Sequence, residues 1–154
     1  MLSRSQAIQN IFKQHGEQDI YISNTGYLSR AVHNEFPDAH NIFYMQGSMG
    51  LAPCIGLGLA KNTDKDVVVL SGDGALLMHY GIVFNIDEAN LKNLHVYVLD
   101  NGCHESVGSY KCSKLPTNIS GINKIIKISC DGKVNRVKWG CQENTNNIKK
   151  FINE

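Results

Sequence analysis

Asp66-Val67-Val68-Val69-Leu70-Ser71-Gly72-Asp73-Gly74 is the stretch that decides the fold. Its first part is a short, unbroken apolar run, which marks a strand buried on both faces rather than one with a wet side. Its second part sets two glycines around a carboxylate, so the chain can turn sharply and bring its backbone close to a ligand. The pattern then recurs. Leu94 to Leu99 is a second apolar run, and it ends in Asp100-Asn101-Gly102, with Asn101 lying 28 residues after Asp73. Residues 75–89 between the two read as helix.

Working outward, Ala7, Ile8, Ile11 and Phe12 form a helical stripe within residues 5–15. Ile20-Tyr21-Ile22 reads as a strand closed by Ser23-Asn24-Thr25-Gly26, and residues 27–36 as a helix that Pro37 limits. A strand at Ile42-Phe43-Tyr44 and a small-residue helix from Ser48 to Lys61 follow. Strands alternating with helices predict an α/β fold: a doubly wound parallel sheet with helices on both faces. Residues 102–120 read as a loop with one helical turn, Ile125 to Ile128 as a strand, and Asn144 to Asn153 as a closing helix. No repeat, low-complexity run or linker breaks the chain, so one domain over residues 1–154 is expected.

Composition excludes several classes. With 154 residues, 42% hydrophobic and 19% charged, the chain can bury a full core without staples. Its longest aliphatic run, Val67 to Leu70, is far below the ~20 apolar residues of a membrane span. The first residues, Met1-Leu2-Ser3-Arg4-Ser5-Gln6, show no secretory pattern. Five cysteines, an odd number without zinc-knuckle spacing, predict a reduced, cytoplasmic protein. The net charge of +1 hides an asymmetry: residues 1–110 carry six Lys/Arg against eleven Asp/Glu, and residues 111–154 carry nine against three. The basic tail has dispersed lysines with only Trp139 and Phe151 among them, so it reads as a solvated face and no nucleic-acid partner is expected.

The chemistry lies where the apolar strands end. In a doubly wound sheet the ligand crevice sits outside the carboxyl ends of the strands, which brings Gly72-Asp73-Gly74 and Asp100-Asn101-Gly102 together. Asp73 offers a carboxylate and Asn101 an amide oxygen, both hard donors suited to Mg²⁺ or Ca²⁺. The helix opening at Gly74 favours an anion. A metal bridging protein to phosphate would let an acidic body hold a polyanion. Each motif taken singly fits a tight turn; their pairing at two strand ends is what favours a site. Gly56-Leu57-Gly58 lacks the third glycine of a dinucleotide fingerprint, and its glycines read as close helix–sheet packing. A nucleophile pair of Cys103 and His104 is disfavoured, because sequence neighbours rarely align for that chemistry.

Gly72-Asp73-Gly74, 26 intervening residues and Asn101 resemble the thiamine-diphosphate motif of thiamine-dependent enzymes. Gly47-Ser48-Met49-Gly50-Leu51-Ala52, with Gly56-Leu57-Gly58, resembles the segment that holds the aminopyrimidine ring in the same family. Asp100 to Gly108 is similar to the matching stretch of phosphonopyruvate decarboxylases, and Gly47 to Leu59 is at least as close to the small subunit of sulfopyruvate decarboxylase. The similarity covers roughly residues 5–115.

The resemblance implies a diphosphate-binding half of a thiamine-diphosphate enzyme. Asp73, the Asn101 side chain and the Cys103 carbonyl would hold Mg²⁺. Gly74 and Ala75 amides, after the turn at Gly72, would contact the diphosphate together with Asn24, Thr25 and Gly26. The Gly47 carbonyl, beside Ser48, would accept from the ring's amine, and Met49 would wedge beneath the cofactor. His79, His104, Ser106 and Lys111 are the local candidates for an acidic substrate group. The family's activating glutamate sits on a separate pyrimidine-binding domain. None of Glu17, Glu35, Glu88, Glu105, Glu143 or Glu154 lies in a segment resembling it. A partner subunit, hence a hetero-oligomer, is therefore expected. The reaction implied is decarboxylation of a small 2-oxoacid, phosphonopyruvate to phosphonoacetaldehyde first and sulfopyruvate as the alternative. A noncatalytic module retaining the fold and a nucleotide-binding domain are the rivals. Residues 121–154 depart from the family, most visibly from Lys133 to Trp139, and are expected to be atypical.

Overall fold

The computed structural model describes residues 1–154. Five parallel strands form the main sheet: β1 (Ile20–Ser23), β2 (Ile42–Tyr44), β3 (Val67–Gly72), β4 (Leu94–Asp100) and β7 (Lys124–Lys127), in the order β2-β1-β3-β4-β7. A hairpin of β5 (Cys103–His104) and β6 (Tyr110–Lys111) stands apart from it. Six helices accompany them: α1 (Arg4–Phe12), α2 (Tyr27–Glu35), α3 (Ala52–Ala60), α4 (Asp73–Met78), α5 (Ile82–Ala89) and α6 (Cys141–Asn153). The expectation of a doubly wound α/β sheet is met.

Side chains of a strand alternate between faces, and the two cores obey this. Val67, Val69, Val96 and Val98 join residues of α3, α5 and α6 on one face, while Val68, Leu70, Tyr97 and Leu99 join residues of α1 and α2 on the other. Both faces are covered, which explains why β3 reads as continuous apolar sequence. The chain leaves β1 toward β2 and leaves β3 toward β4, so the sheet reverses direction between β1 and β3. Such a switch point opens a crevice at the carboxyl ends of those strands.

Several boundaries differ from expectation. The helix predicted over residues 75–89 is two, α4 and α5, parted at His79–Gly81. The helix predicted from Ser48 begins at Ala52, because Ser48 (φ 54°) and Gly50 (φ 92°) both adopt left-handed backbone that a helix excludes. At Gly50 a side chain would also strike the Ala75 carbonyl, at 2.5 Å from a Cβ. Gly56 does allow close packing, since a Cβ there would lie 2.3 Å from Val69 Cγ2. Gly58 does not; nothing stands within 4 Å of its would-be Cβ. The loop expected over residues 102–120 holds the β5–β6 hairpin around a short turn of 3₁₀ helix, Glu105–Val107. The edge strand β2 is shielded by α6, whose buried Asn144 accepts from the Tyr44 N–H (3.3 Å) and donates to the Tyr44 carbonyl (2.7 Å).

Candidate functional site

A cleft open to solvent lies at the switch point. It brings together most of the residues singled out in the sequence: Asn24 and Thr25 after β1, Met49 from the following loop, Gly72 to Ala75 at the β3–α4 turn, and Asn101, Cys103, His104 and Ser106 after β4. Gly26 stands at its margin, with a would-be Cβ 3.3 Å from Ser106 Oγ. Gly47 and Ser48 are exposed and lie outside the lining, as do His79 and Lys111. The His79 ring instead packs at the far end of α4 against Gly50, where a Cβ would meet its Nδ1 at 2.6 Å. Asn24 is buried, and its Oδ1 accepts the Gly50 N–H at 3.0 Å, so it ties the Met49 loop to β1.

Three carboxylates gather at the ends of β3 and β4. Asp100 pairs with Lys127 on the neighbouring strand β7, and Glu105 pairs with Arg4, the first residue of α1. Asp73 has no cationic partner, although it is only 3% exposed. It accepts the Gly102 N–H at 3.0 Å, a donor it shares with Asp100 (3.1 Å). Gly102 has φ 73°, a conformation that glycine adopts without penalty. Burial pushes the Asp73 carboxyl above the usual carboxylate range, and the nearby Asp100 charge adds to this; the Gly74 and Gly102 N–H groups pull the other way. A buried carboxylate without a cation is costly, and a divalent ion would supply the missing charge. No group of three His, Cys, Asp or Glu side chains is placed to hold a metal anywhere in the chain. A metal here would therefore draw on Asp73, an amide oxygen and backbone carbonyls, a hard-oxygen set suited to Mg²⁺. Asn101 and Cys103 line the same cleft as Asp73, and the Cys103 N–H donates to Asn101 Oδ1 at 3.2 Å.

Gly74 is fixed by contact. A Cβ there would fall 2.5 Å from His104 Cε1 and 2.8 Å from Cys112 Sγ, so both side chains lie directly on the first turn of α4. Burial and then the Asp73 charge push the Cys112 thiol up to about 11. Burial and then the neighbouring Cys130 push Cys103 up to about 12, the two sulfurs standing 3.2 Å apart as free thiols. Neither thiol is prepared as a nucleophile at neutral pH.

The residue that the sequence did not disclose is Arg4. It is buried, lines the cleft and neutralises Glu105, yet its only local mark is a position one after the N-cap Ser3 of a capping box. An arginine there carries no periodic or motif signal.

Comparison with known proteins identifies what the cleft belongs to. Residues 23–129 match the family model described as thiamine pyrophosphate enzyme, C-terminal TPP binding domain. The chain belongs to that family. The matched segment runs from the end of β1 through the Met49 loop and the β3–α4 turn to the whole of the β4–β7 region. The sulfopyruvate decarboxylase subunit beta of Methanocaldococcus jannaschii is 41% identical over 108 residues, 70% of this chain and 57% of that protein. The phosphonopyruvate decarboxylase of Streptomyces viridochromogenes is 36% identical over 109 residues, 71% of this chain and 27% of that protein. A crystal structure from Mycobacterium smegmatis, described as a thiamin diphosphate-dependent enzyme, superposes with a TM-score of 0.63 at 16% identity, covering 75% of this chain and 24% of that one. The last likeness speaks for the fold. The chain spans a little over half the length of the sulfopyruvate decarboxylase subunits it matches.

Proposed function

We propose that this chain is the diphosphate-binding subunit of a thiamine-diphosphate-dependent decarboxylase acting on a small 2-oxoacid with a terminal sulfonate or phosphonate. The observation that carries the reading is Asp73: a buried carboxylate without a cation, at the switch point, within the matched TPP-binding segment. Asp73, Asn101 Oδ1 and the Cys103 carbonyl would hold Mg²⁺, and the Gly72–Ala75 turn with Thr25 would receive the diphosphate. Thiamine diphosphate, once bound, supplies the electron sink that lets a 2-oxoacid lose carbon dioxide. The chain's own part is to hold the charged end, to support the cofactor with Met49, and to set His104 and Ser106 at the mouth of the cleft. Burial excludes water around Asp73, which strengthens its hold on a cation.

A partner subunit follows from the carboxylates. Of the two that line the cleft, Asp73 is assigned to the metal and Glu105 is committed to Arg4. No free glutamate is left to activate a cofactor, so a pyrimidine-binding subunit would bring it, giving a hetero-oligomer. Similarity to proteins named as beta subunits supports this organisation. Identity runs from 30% to 41% for sulfopyruvate decarboxylase beta subunits and is 36% and 35% for two phosphonopyruvate decarboxylases, so the phosphonopyruvate expected from Asp100 to Gly108 and sulfopyruvate both fit. Five free thiols suit a reducing, cytoplasmic setting, and no helix is long and apolar enough to cross a membrane.

The test is reconstitution. The purified chain is mixed with a pyrimidine-binding subunit, thiamine diphosphate and Mg²⁺, and carbon dioxide release is followed from each 2-oxoacid. Activity only in the mixture is expected, and the faster of the two acids names the substrate. Full activity of the chain by itself would overturn the divided enzyme, and inactivity of the mixture toward both acids would leave a noncatalytic module.

A further inference from the structure

An asparagine can present its oxygen or its nitrogen to a metal, and only the oxygen binds. The neighbours of Asn101 decide which. Its Nδ2 donates to Glu105 Oε2 at 3.0 Å, and its Oδ1 accepts the Cys103 N–H at 3.2 Å. Reversing the amide would set a donor against a backbone donor and an acceptor against a carboxylate, losing both bonds. Glu105 is itself held from two sides. Arg4 Nη2 donates to its Oε2, and the Gly132 N–H donates to its Oε1 at 2.6 Å. The side chains of Arg4 and Glu105 are 5% and 7% exposed, so this is a buried ion pair.

Buried ion pairs cost desolvation and add little stability by themselves, but they can fix one arrangement against another. We propose that Arg4 and Glu105 are positioning residues that lock the Asn101 amide with Oδ1 turned away from Glu105 and toward the metal. Glu105 acts as the acceptor that only Nδ2 can satisfy. Arg4 neutralises Glu105, which would otherwise offer the cation a rival carboxylate beside Asn101. The inference rests on the metal reading of Asp73, and it extends the site to the first residue of α1.

The experiment measures Mg²⁺ affinity by calorimetry at saturating thiamine diphosphate, in the protein assembled with its partner subunit. E105A and E105Q are each expected to weaken Mg²⁺ binding by about 10–100-fold, the range for groups that orient a metal ligand. Excess Mg²⁺ should restore cofactor binding. The deciding arm is a double-mutant cycle with N101D. A carboxylate at position 101 has two equivalent oxygens and nothing to orient, and it is repelled by Glu105. In the N101D background, E105A should therefore be neutral or should strengthen Mg²⁺ binding. An equal loss in both backgrounds would show a merely structural pair and overturn the proposal, as would no loss from either substitution with Asn101 in place. D73A separates the two readings. If D73A leaves Mg²⁺ binding intact, the metal reading falls and the positioning role with it. If D73A abolishes binding while E105A and E105Q are silent, only the positioning role falls.

Discussion

At the carboxyl ends of β3 and β4, all but one of the buried carboxylates meet a cationic partner. Asp100 meets Lys127, Glu105 meets Arg4, and the Gly102 N–H is shared by two aspartates. Residues 129–140 are built by another rule. They form neither helix nor strand, and they are held largely by aromatic packing. Trp139 stacks on His40 at 5.6 Å and meets His33 and Tyr44 edge-on at 5.6 and 5.7 Å, while Gln46 donates to its carbonyl at 2.9 Å. The first region leaves one buried charge unanswered, at Asp73; the second buries no charge and gathers rings. The difference separates a region shaped to receive a ligand from one that clasps the edge of the sheet.

Substitutions should keep the two apart. The largest effect is expected from Asp73→Ala. Mg²⁺-dependent cofactor binding should fall by well over ~100-fold, beyond what loss of an orienting group costs. The melting temperature of the metal-free chain should hardly move, because the Gly102 N–H keeps Asp100 as acceptor. Next comes Gly74→Ala, whose new Cβ would displace His104 and Cys112. Both are side chains that can shift, so the fold should survive while His104 leaves the mouth of the cleft. Turnover in the reconstituted enzyme should drop by up to about 100-fold, the cost of roughly 1 Å of misplacement, with Mg²⁺ affinity retained. Trp139→Ala should do the reverse. Losing these aromatic contacts should cost about 1–3 kcal/mol in denaturant melts, with cofactor affinity unchanged. An equal loss of affinity from Trp139→Ala would erase the distinction between the regions.

The same contrast explains what the sequence disclosed. Val67 to Leu70 and Leu94 to Leu99 were legible because strands buried on both faces leave an unbroken apolar run, and the glycines and carboxylates at their ends are fixed by close backbone approach. The break between α4 and α5 was not legible, since Leu76, Leu77, Ile82 and Val83 continue an apolar pattern across it. Nor was the delayed start of α3, because a serine does not announce the left-handed backbone that Ser48 adopts (φ 54°). Arg4 and Glu105 meet across 101 positions of sequence, and no local pattern records such a pairing. Trp139 and its partners escaped for the same reason, with His33 and His40 drawn from α2 and the turn after it.

The smallest effect concerns His33 and tests the tail's attachment directly. Its Nε2 accepts the Lys138 N–H at 3.4 Å, and its Nδ1 is buried without a partner. Burial, and then the Lys138 charge, hold its pKa below the usual value of 6.5, while Asp38 opposes them. The folded chain thus keeps the ring neutral where the unfolded chain would already bind a proton. The stability this contributes is full above the ordinary histidine range and is lost as the pH falls through the lowered value. Protonation would also set a ring N–H against the Lys138 N–H, two donors face to face. Acidification from pH 7 to 5 should accordingly lower the hydrogen-exchange protection factors of residues 134–139, each taken against the intrinsic rate at that pH, while β3 and β4 stay protected. His33→Phe keeps a ring beside Trp139 and removes the titration, so it should flatten that pH dependence. A tail that still loosens in acid with phenylalanine at this position would place the pin elsewhere, His40, which stacks on Trp139, being the next ring to replace.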